Sequence, residues 1–170
     1  MERLKRKKLF LMIGIPGSGK STFIQTHKDK FTGTVKVISR DKIRFSMLGN
    51  NDDYFSKENE VWNEFVNQAK QSLQENDNTI LDATHINISS RTRILRALKD
   101  NLKDVEICAI VIKTDLDTAI KQNNMREGRA LVPEIAIRRM YHSFYYPDLE
   151  EGFDTIYIYD GKNKKITIRR

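Results

Sequence analysis

Cysteine is almost absent from the 170-residue sequence, and no apolar run is long enough to cross a membrane. The one cysteine, Cys108, excludes an intramolecular disulfide, and its apolar surroundings predict a buried, reduced thiol in an intracellular, cytoplasmic protein. The longest apolar run, residues 9–15, is far shorter than the ~18 residues of a transmembrane helix. It follows basic residues but continues into PGSGK at 16–20 without a small-residue cleavage site, which argues against a signal peptide.

The body of the chain also lacks excess positive charge, although the formal net charge is +7. Residues 1–8 contribute +4 and residues 162–170 contribute +5, whereas residues 9–161 hold 20 basic and 22 acidic residues and contribute −2. Basic termini increase solubility and can attract polyanions over long range, so the net charge is weak evidence for nucleic-acid binding. The length predicts one domain over residues 1–170.

Short apolar segments of strand length alternate with longer segments of helical periodicity. This alternation is typical of βαβ units and predicts an α/β fold with a mostly parallel central sheet and helices on both faces. Strands are predicted at residues 8–13, 35–39, 79–83, 105–112, 154–159 and 165–168, and the last two form a C-terminal hairpin over about 154–170. Helices are predicted at residues 20–27, 57–76, 89–102, 115–125 and 133–144.

The sequence GIPGSGKS at residues 14–21 fits the P-loop pattern G-x-x-x-x-G-K-[ST] and lies between a predicted strand and a predicted helix. Glycines let backbone N–H groups surround a phosphate, and the helix N-terminus adds positive potential. Lys20 can reach the β- and γ-phosphates of ATP, and the Ser21 hydroxyl can bind Mg²⁺. The predicted nucleotide contacts here are Gly14, Pro16, Gly17, Ser18, Gly19, Lys20, Ser21 and Thr22.

Ligands of open parallel sheets bind beyond the carboxyl ends of the strands, which draws attention to Asp41 and Arg44 after the second strand. Asp41 fits two roles: the N-cap of a helix, or a base that takes the proton of an acceptor hydroxyl. Arg44 would lie on the same side of that helix and could hold an acceptor phosphate, or be a solvated surface arginine.

Asp82 closes the third predicted strand, as a metal-supporting aspartate does in P-loop proteins, or it caps a short turn. Arg126 and Arg129 flank Gly128 in a polar stretch, and we predict a lid at about 123–132. An arginine there can neutralise charge on the transferring phosphoryl group, whereas on a solvated loop it would have no such role. The aromatic residues Trp62, Tyr141, Tyr145 and Tyr146 are interpreted as core, with a base-stacking contact to a nucleotide as the alternative for any one of them.

Five sequence blocks resemble the kinase domain of the polynucleotide 5′-hydroxyl kinases of phages and animals. In order they are GIPGSGKST at 14–22, VISRDKIR at 37–44, TILDATHINISSRTR at 79–93, NNMREGRALVP at 123–133 and YYPDLEEGFDTI at 145–156. The first block is common to P-loop proteins, but the second and third together are much more specific. The resemblance covers nearly the whole chain and implies a P-loop kinase fold with a helical lid.

The resemblance also implies a role for each matching residue. Lys20 and Ser21 bind ATP phosphates and Mg²⁺, Asp41 activates the 5′-hydroxyl, and Arg44 contacts the phosphate next to the acceptor nucleoside. Asp82 supports the metal region, and Arg126 contacts the donor phosphates from the lid. One departure is Gln122, where the phage-type lid has a further arginine; Arg129 is the candidate to replace it.

The function implied is ATP- and Mg²⁺-dependent phosphorylation of the 5′-hydroxyl of DNA or RNA ends in nucleic-acid repair. The phage relatives imply action in the host cytoplasm, and the match ends with the kinase domain, so no 3′-phosphatase activity and no membrane partner are expected. A kinase of a nucleoside, nucleotide or sugar nucleotide is the first alternative, which the acidic balance of residues 9–161 keeps open. An ATPase switch with no acceptor is the second, and Asp41 with Arg44 argues against it.

Overall fold

The computed structural model describes residues 6–170, so most of the basic segment at 1–8 lies outside the described residues. Its sheet has six strands in the order β2-β3-β1-β4-β5-β6, and all neighbouring pairs are parallel except β5 with β6. The predicted α/β fold with a mostly parallel sheet is confirmed. The strands are β1 (Lys7–Ile13), β2 (Val35–Ser39), β3 (Asn78–Asp82), β4 (Val105–Lys113), β5 (Thr155–Asp160) and β6 (Lys165–Arg169).

Six α-helices connect or flank these strands within the described residues. Five of them lie within a few residues of the predicted ranges; the helix after β2 was expected, without bounds, from the positions of Asp41 and Arg44. The helices are α1 (Lys20–His27), α2 (Arg40–Met47), α3 (Glu58–Glu75), α4 (Ile88–Leu98), α5 (Leu116–Asn124) and α6 (Glu134–His142). No helix within residues 6–170 has the length and apolar character needed to cross a bilayer.

Strand β1 shows why the sheet is covered on both faces. Leu9, Leu11 and Ile13 pack into one apolar cluster with residues of α3 and α4, and the alternate residues Phe10 and Met12 pack into another with α1. Successive side chains of a strand point to opposite faces, so an unbroken apolar strand needs helices on both sides. The neighbouring strand β4 carries Cys108, which is buried as predicted, and burial raises the pKa of its thiol to about 12.

The register of the parallel strands brings their carboxyl ends to one edge. Ser39 at the end of β2 pairs with Asp82 at the end of β3, and β1 ends beside them at Ile13. The polar residues that follow these three strands are therefore neighbours in space although they are far apart in sequence.

The lid region differs from a helical lid. Residues 125–133 form a loop with a single 3-10 turn, Gly128–Ala130, between α5 and α6. The buried Asn123 closes this loop, because its side-chain amide accepts from Val132 N at 3.0 Å and donates to Val132 O at 2.7 Å. Gly128, within the loop, has a φ of 58°, a left-handed conformation that glycine adopts without strain.

Two other features of the packing differ from the sequence interpretation. Tyr141, Tyr145 and Tyr146 are exposed rather than in the core. The core instead contains Arg91, which is 0% exposed and makes paired contacts of 2.7 and 2.8 Å with the carboxylate of Glu151. Arg91 also donates to the carbonyl oxygen of Tyr145 at 2.9 Å, and thereby ties α4 to the segment before β5.

Candidate active site

A large cleft of about 1860 Å³ opens at the carboxyl edge of the sheet. Its walls are the P-loop, the start of α2, the segment at 54–58, the lid loop and the turn between β5 and β6. Pockets for one small ligand usually measure roughly 300–1,000 Å³, so this cleft has room for a nucleotide and a second substrate. All the residues predicted to bind nucleotide, metal or acceptor line it except Gly14, which lies at the end of β1 just behind the loop.

The P-loop passes very close to helix α5. At Gly17, where φ is 78°, a Cβ atom would lie 2.1 Å from the carbonyl oxygen of Ala119. Gly14 is also confined, because a Cβ there would lie 2.6 Å from Ser18 Oγ. The glycines of the motif therefore allow close packing of the loop as well as close approach of its amides to a phosphate.

We expect Gly17→Ala to destabilise the protein far more than Gly152→Ala. Both glycines have positive φ, but a Cβ at Gly152 would meet no atom within 4 Å. The Gly152 variant has only the backbone strain of roughly 1–3 kcal/mol. The Gly17 variant adds a clash with a backbone oxygen, a further cost of about 1–3 kcal/mol typical of overpacking. Urea denaturation of both variants measures the difference, and equal stabilities would contradict the observed packing.

The Lys20 side chain folds back onto the P-loop and contacts its backbone. Its Nζ donates to the carbonyl oxygens of Gly14 at 2.9 Å and Ile15 at 3.1 Å. Burial lowers the pKa of Lys20 to about 8, partly offset by the negative charge of Asp82. A buried ammonium with few counter-charges is poised to bind an incoming polyphosphate, because the ligand supplies the missing negative charge.

Ser21 and Asp82 form a pair of oxygen ligands suited to Mg²⁺. Ser21 Oγ donates to Asp82 Oδ2 at 3.1 Å, and burial raises the pKa of Asp82, offset by the charge of Lys20. Within residues 6–170 no group of three or more His, Cys, Asp and Glu side chains is arranged to hold a metal. The pair fits the usual Mg²⁺ site of kinases, in which one or two protein oxygens act together with phosphate oxygens.

Asp41 is not the N-cap of helix α2. The cap is Ser39, whose side chain accepts from the amide of Lys42 at 3.3 Å. Asp41 lies in the first turn of the helix as its second residue, and its side chain is 58% exposed and lines the cleft. The capping alternative is therefore wrong, and the carboxylate faces the cleft in which a substrate would bind.

The Arg44 guanidinium is not a solvated surface group, because it is buried and fully hydrogen-bonded. It contacts Glu58 through Nε and Nη2, with the shortest distance 2.9 Å, and donates from Nη1 to Asp41 Oδ1 at 2.5 Å. Nη1 also donates to the Tyr54 hydroxyl at 3.0 Å, and this hydroxyl donates to Asp41 at 3.0 Å. Burial and the nearby Asp41 charge raise the pKa of Tyr54 to about 12, so the phenol stays protonated.

Tyr54 and Glu58 are functional candidates that the sequence analysis missed. Tyr54 follows the polar loop at 50–53 in the turn before α3, and Glu58 is the first residue of α3, so no strand end marks them. The pairing of Glu58 with both Arg40 and Arg44 connects α2 to α3 beside the cleft. The sequence offered one signal for Glu58: it is an acidic residue in the first turn of the helix that follows Asp41 and Arg44.

The two lid arginines have different surroundings. Arg126 lines the cleft and lies near enough to Lys20 to lower its pKa, and within residues 6–170 its guanidinium makes no hydrogen bond or ion pair. Arg129 instead donates to the backbone carbonyls of Gly49 at 2.5 Å and Asn50 at 2.9 Å. The neutral Gln122, not Arg129, approaches the P-loop, 3.9 Å from where a Cβ of Gly19 would lie.

The model of the AAA domain family matches residues 9–147. The chain belongs to this family. The match extends from β1 across the P-loop, Asp41, Asp82 and the lid. The chain is thus a kinase-like P-loop protein with the nucleotide-binding loop of its family.

Three proteins are similar to this AAA domain in sequence or in fold. A protein of Acanthamoeba polyphaga mimivirus, assigned as a bifunctional polynucleotide phosphatase/kinase, is 26% identical over 89% of this chain and 33% of its own length. The Pnkp1/Rnl/Hen1 RNA repair complex contains a chain with a TM-score of 0.67 and 22% identity, covering 99% of this chain and 50% of that one. A gluconokinase from Sinorhizobium meliloti shares the fold at a TM-score of 0.53 and 12% identity, over 92% and 84% of the two chains.

These comparisons support the resemblance to polynucleotide kinases drawn from the five sequence blocks. The chain spans about a third of the length of the mimivirus relative and half of the solved RNA repair chain. The gluconokinase shares the fold alone. This AAA domain therefore has the fold of P-loop kinases. Its acceptor has to be inferred from the residues that line the cleft.

Proposed function

We propose that this AAA domain transfers the γ-phosphate of ATP to the 5′-hydroxyl of a DNA or RNA end. The observation that carries the proposal is Asp41: it is not needed as a helix cap, it lines the same cleft as the P-loop, and it is bonded to Arg44. A water nucleophile needs no such buried arginine beside its base, whereas an acceptor that carries a phosphate does.

The donor half of the reaction uses the P-loop side of the cleft. The loop amides and Lys20 bind the phosphates, and Ser21 with Asp82 holds Mg²⁺. The metal, when bound, neutralises charge on the phosphate oxygens during transfer. Arg126 has free donors facing this region and would stabilise the charge that develops on the transferring group.

The acceptor half uses the α2 side of the cleft. The 5′-hydroxyl donates a hydrogen bond to the Asp41 carboxylate, which takes its proton as the oxygen attacks the γ-phosphorus. The bond between the γ-phosphorus and the β,γ-bridging oxygen breaks, and ADP leaves. Arg44 holds this carboxylate in place through the 2.5 Å contact. The acceptor phosphate can reach Arg44 by replacing the Tyr54 hydroxyl, the one uncharged group among its partners.

The first alternative is a kinase that phosphorylates a small molecule. The acidic balance of residues 9–161 and the shared fold of a gluconokinase favour it. Its acceptor is a nucleoside, a nucleotide or a sugar nucleotide instead of a nucleic-acid end, and of these a free nucleoside offers no phosphate to Arg44. An ATPase switch, the second alternative, is disfavoured by Asp41 and Arg44.

A panel of acceptors separates these functions. The protein is incubated with γ-labelled ATP, Mg²⁺ and one of four acceptors: a 5′-hydroxyl oligonucleotide, a nucleoside 3′-monophosphate, a free nucleoside or a sugar nucleotide. We expect label in the oligonucleotide and the nucleoside 3′-monophosphate. Label in the free nucleoside or the sugar nucleotide alone would move the assignment to a small-molecule kinase, and slow ATP hydrolysis without labelled acceptor would indicate a switch.

We expect Glu58→Gln to raise the KM for an acceptor that carries a phosphate, while the KM for ATP stays unchanged. The amide cannot hold the Arg44 guanidinium as a carboxylate does, and hydrogen bonds to charged groups contribute about 1.5–3 kcal/mol, or roughly 10- to 150-fold. Glu60→Gln is the matched control, because Glu60 is exposed on the same helix and does not line the cleft.

The Arg44→Ala variant shows whether Glu58 acts through Arg44. If it does, adding Glu58→Gln to Arg44→Ala has little further effect on the acceptor KM, because the two residues act as one unit. Additive losses in the double variant, or an unchanged acceptor KM in Glu58→Gln, would show that Glu58 has no positioning role.

A further inference from the structure

Phe55 is an aromatic side chain that the cleft leaves open to solvent. It is 69% exposed, yet it lines the cleft at the acceptor side. Exposed aromatic residues elsewhere on the surface, such as Tyr145 at 61%, do not line the cleft. Covering a phenyl ring with a bound ligand is favourable, because it removes a large apolar area from water.

The neighbours of Phe55 fix where its ring lies in relation to the acceptor groups. Its ring meets that of Tyr54 edge-on, with centroids 4.7 Å apart. The Arg44 guanidinium lies 5.8 Å from the centroid of the Phe55 ring and 4.6 Å from that of Tyr54. This guanidinium is the group bonded to Asp41, so the free ring is next to the position of the reacting hydroxyl.

Tyr54 cannot serve as the ligand's stacking surface, but Phe55 can. The Arg44 guanidinium lies over the Tyr54 ring, 4.6 Å from its centroid, so the face of this ring is covered. Phe55 has no polar atom, and its exposed surface is available. A flat group with an apolar face fits such a surface. It would belong to an acceptor that also carries a phosphate.

We propose that Phe55 forms a nucleobase subsite, on which the base of the 5′-terminal acceptor nucleotide stacks. This inference rests on the proposed function and deepens it, because it assigns the part of the acceptor that distinguishes a nucleotide from a phosphorylated sugar. Stacking on an aromatic side chain is tolerant of base identity, since every base has a π-face. The subsite therefore recognises a 5′-terminal nucleotide of any sequence.

The test compares two acceptors that differ only in the 5′-terminal base: a 5′-hydroxyl oligonucleotide, and the same oligonucleotide with an abasic 5′-terminal residue. KM and kcat are measured for wild type, Phe55→Ala and Phe55→Trp, with Tyr145→Ala as the exposed aromatic control outside the cleft. For Phe55→Ala we expect the KM of the base-bearing acceptor to rise about 5- to 150-fold, the range typical of one base stacked on an aromatic ring, with kcat little changed.

The abasic acceptor separates stacking from a general effect on the site. The wild type should bind it as weakly as Phe55→Ala binds the normal acceptor, and Phe55→Ala should bind both acceptors equally. Phe55→Trp should retain the preference for a base, because it keeps an aromatic face. An equal loss on both acceptors, or no loss on the base-bearing one, overturns the subsite.

Failure of the subsite is distinguishable from failure of the proposed function. If the wild type labels the abasic and normal oligonucleotides with equal KM, the 5′-kinase activity stands and the base subsite is wrong. If it labels neither, the proposed function is wrong and the subsite falls with it. A 5′-terminal 2-aminopurine, whose fluorescence is quenched when it stacks, provides a binding readout that needs no catalysis: quenching on addition of wild type but not of Phe55→Ala is expected.

Discussion

Replacing Lys20 with alanine is expected to lower kcat for phosphoryl transfer by about 10²- to 10³-fold, the effect of removing one preorganised charge-stabilising donor. The ammonium sits at the P-loop, in the position from which it can contact the β- and γ-phosphates. The loss should fall on ATP as the donor, so the KM for the acceptor should change little.

The folded state should tolerate this substitution. Burial lowers the pKa of Lys20 to about 8, which means that the protonated side chain is more stable in the unfolded chain than in the folded one. Removing it should therefore not reduce the free energy of unfolding, and a urea titration checks this directly. Lys121→Ala is the matched control, since Lys121 is exposed on α5 outside the cleft. Full activity in a folded Lys20→Ala protein would contradict the P-loop assignment.

Replacing Asp41 with asparagine is expected to lower kcat by about 10²- to 10⁴-fold, the range for loss of a general base. Asparagine keeps the size of the side chain and can still accept from Arg44, but it cannot take the proton of the acceptor hydroxyl. The KM for ATP should stay near that of the wild type, because the lost interaction forms mainly in the transition state.

The fold should be retained, because Ser39 caps helix α2, Glu58 still pairs with Arg44, and the asparagine oxygen can still accept from Arg44. Asp53→Asn is the control, since Asp53 is exposed in the same region but does not line the cleft. The measurement is single-turnover transfer to a 5′-hydroxyl oligonucleotide at saturating ATP. If the Asp41→Asn protein transferred the phosphoryl group as fast as the wild type, Asp41 would not be the general base.

The elements that sequence reasoning located best are those determined by local pattern. The short apolar run at 8–13 predicted the strand β1, and in the structure its residues Leu9 and Phe10 pack into opposite clusters. The P-loop was identified from its spacing alone. The position of Asp41 and Asp82 beside it followed from a general property of parallel sheets, namely that their carboxyl ends share an edge.

The parts that were missed depend on contacts between distant segments. Glu58 lies 14 residues after Arg44, and Glu151 lies 60 residues after Arg91, so neither pair has a helical or strand spacing that would reveal it. Arg129 binds backbone carbonyls 79 and 80 residues earlier, and no sequence pattern marks a carbonyl as an acceptor. Such pairings result from tertiary packing. Local sequence patterns do not reveal which distant residues the packing brings together.

The exposed tyrosines were misassigned for a related reason. A large aromatic side chain is buried on average, but the short helix α6 and the segment after it present Tyr141 and Tyr145 to solvent. Phe55 is exposed in the same way, and its place at the cleft could be recognised only from the surroundings of Arg44.

The mass of a reacted oligonucleotide tests the central claim most directly. A 5′-hydroxyl oligonucleotide is incubated with the protein, ATP and Mg²⁺, then digested and examined by mass spectrometry to locate any added group. We expect the 5′-terminal nucleotide to gain the mass of one phosphoryl group in the wild type, and no gain with Lys20→Ala or Asp41→Asn under the same conditions. An oligonucleotide of unchanged mass, together with phosphorylation of a nucleoside or sugar nucleotide by the same preparation, would contradict the claim.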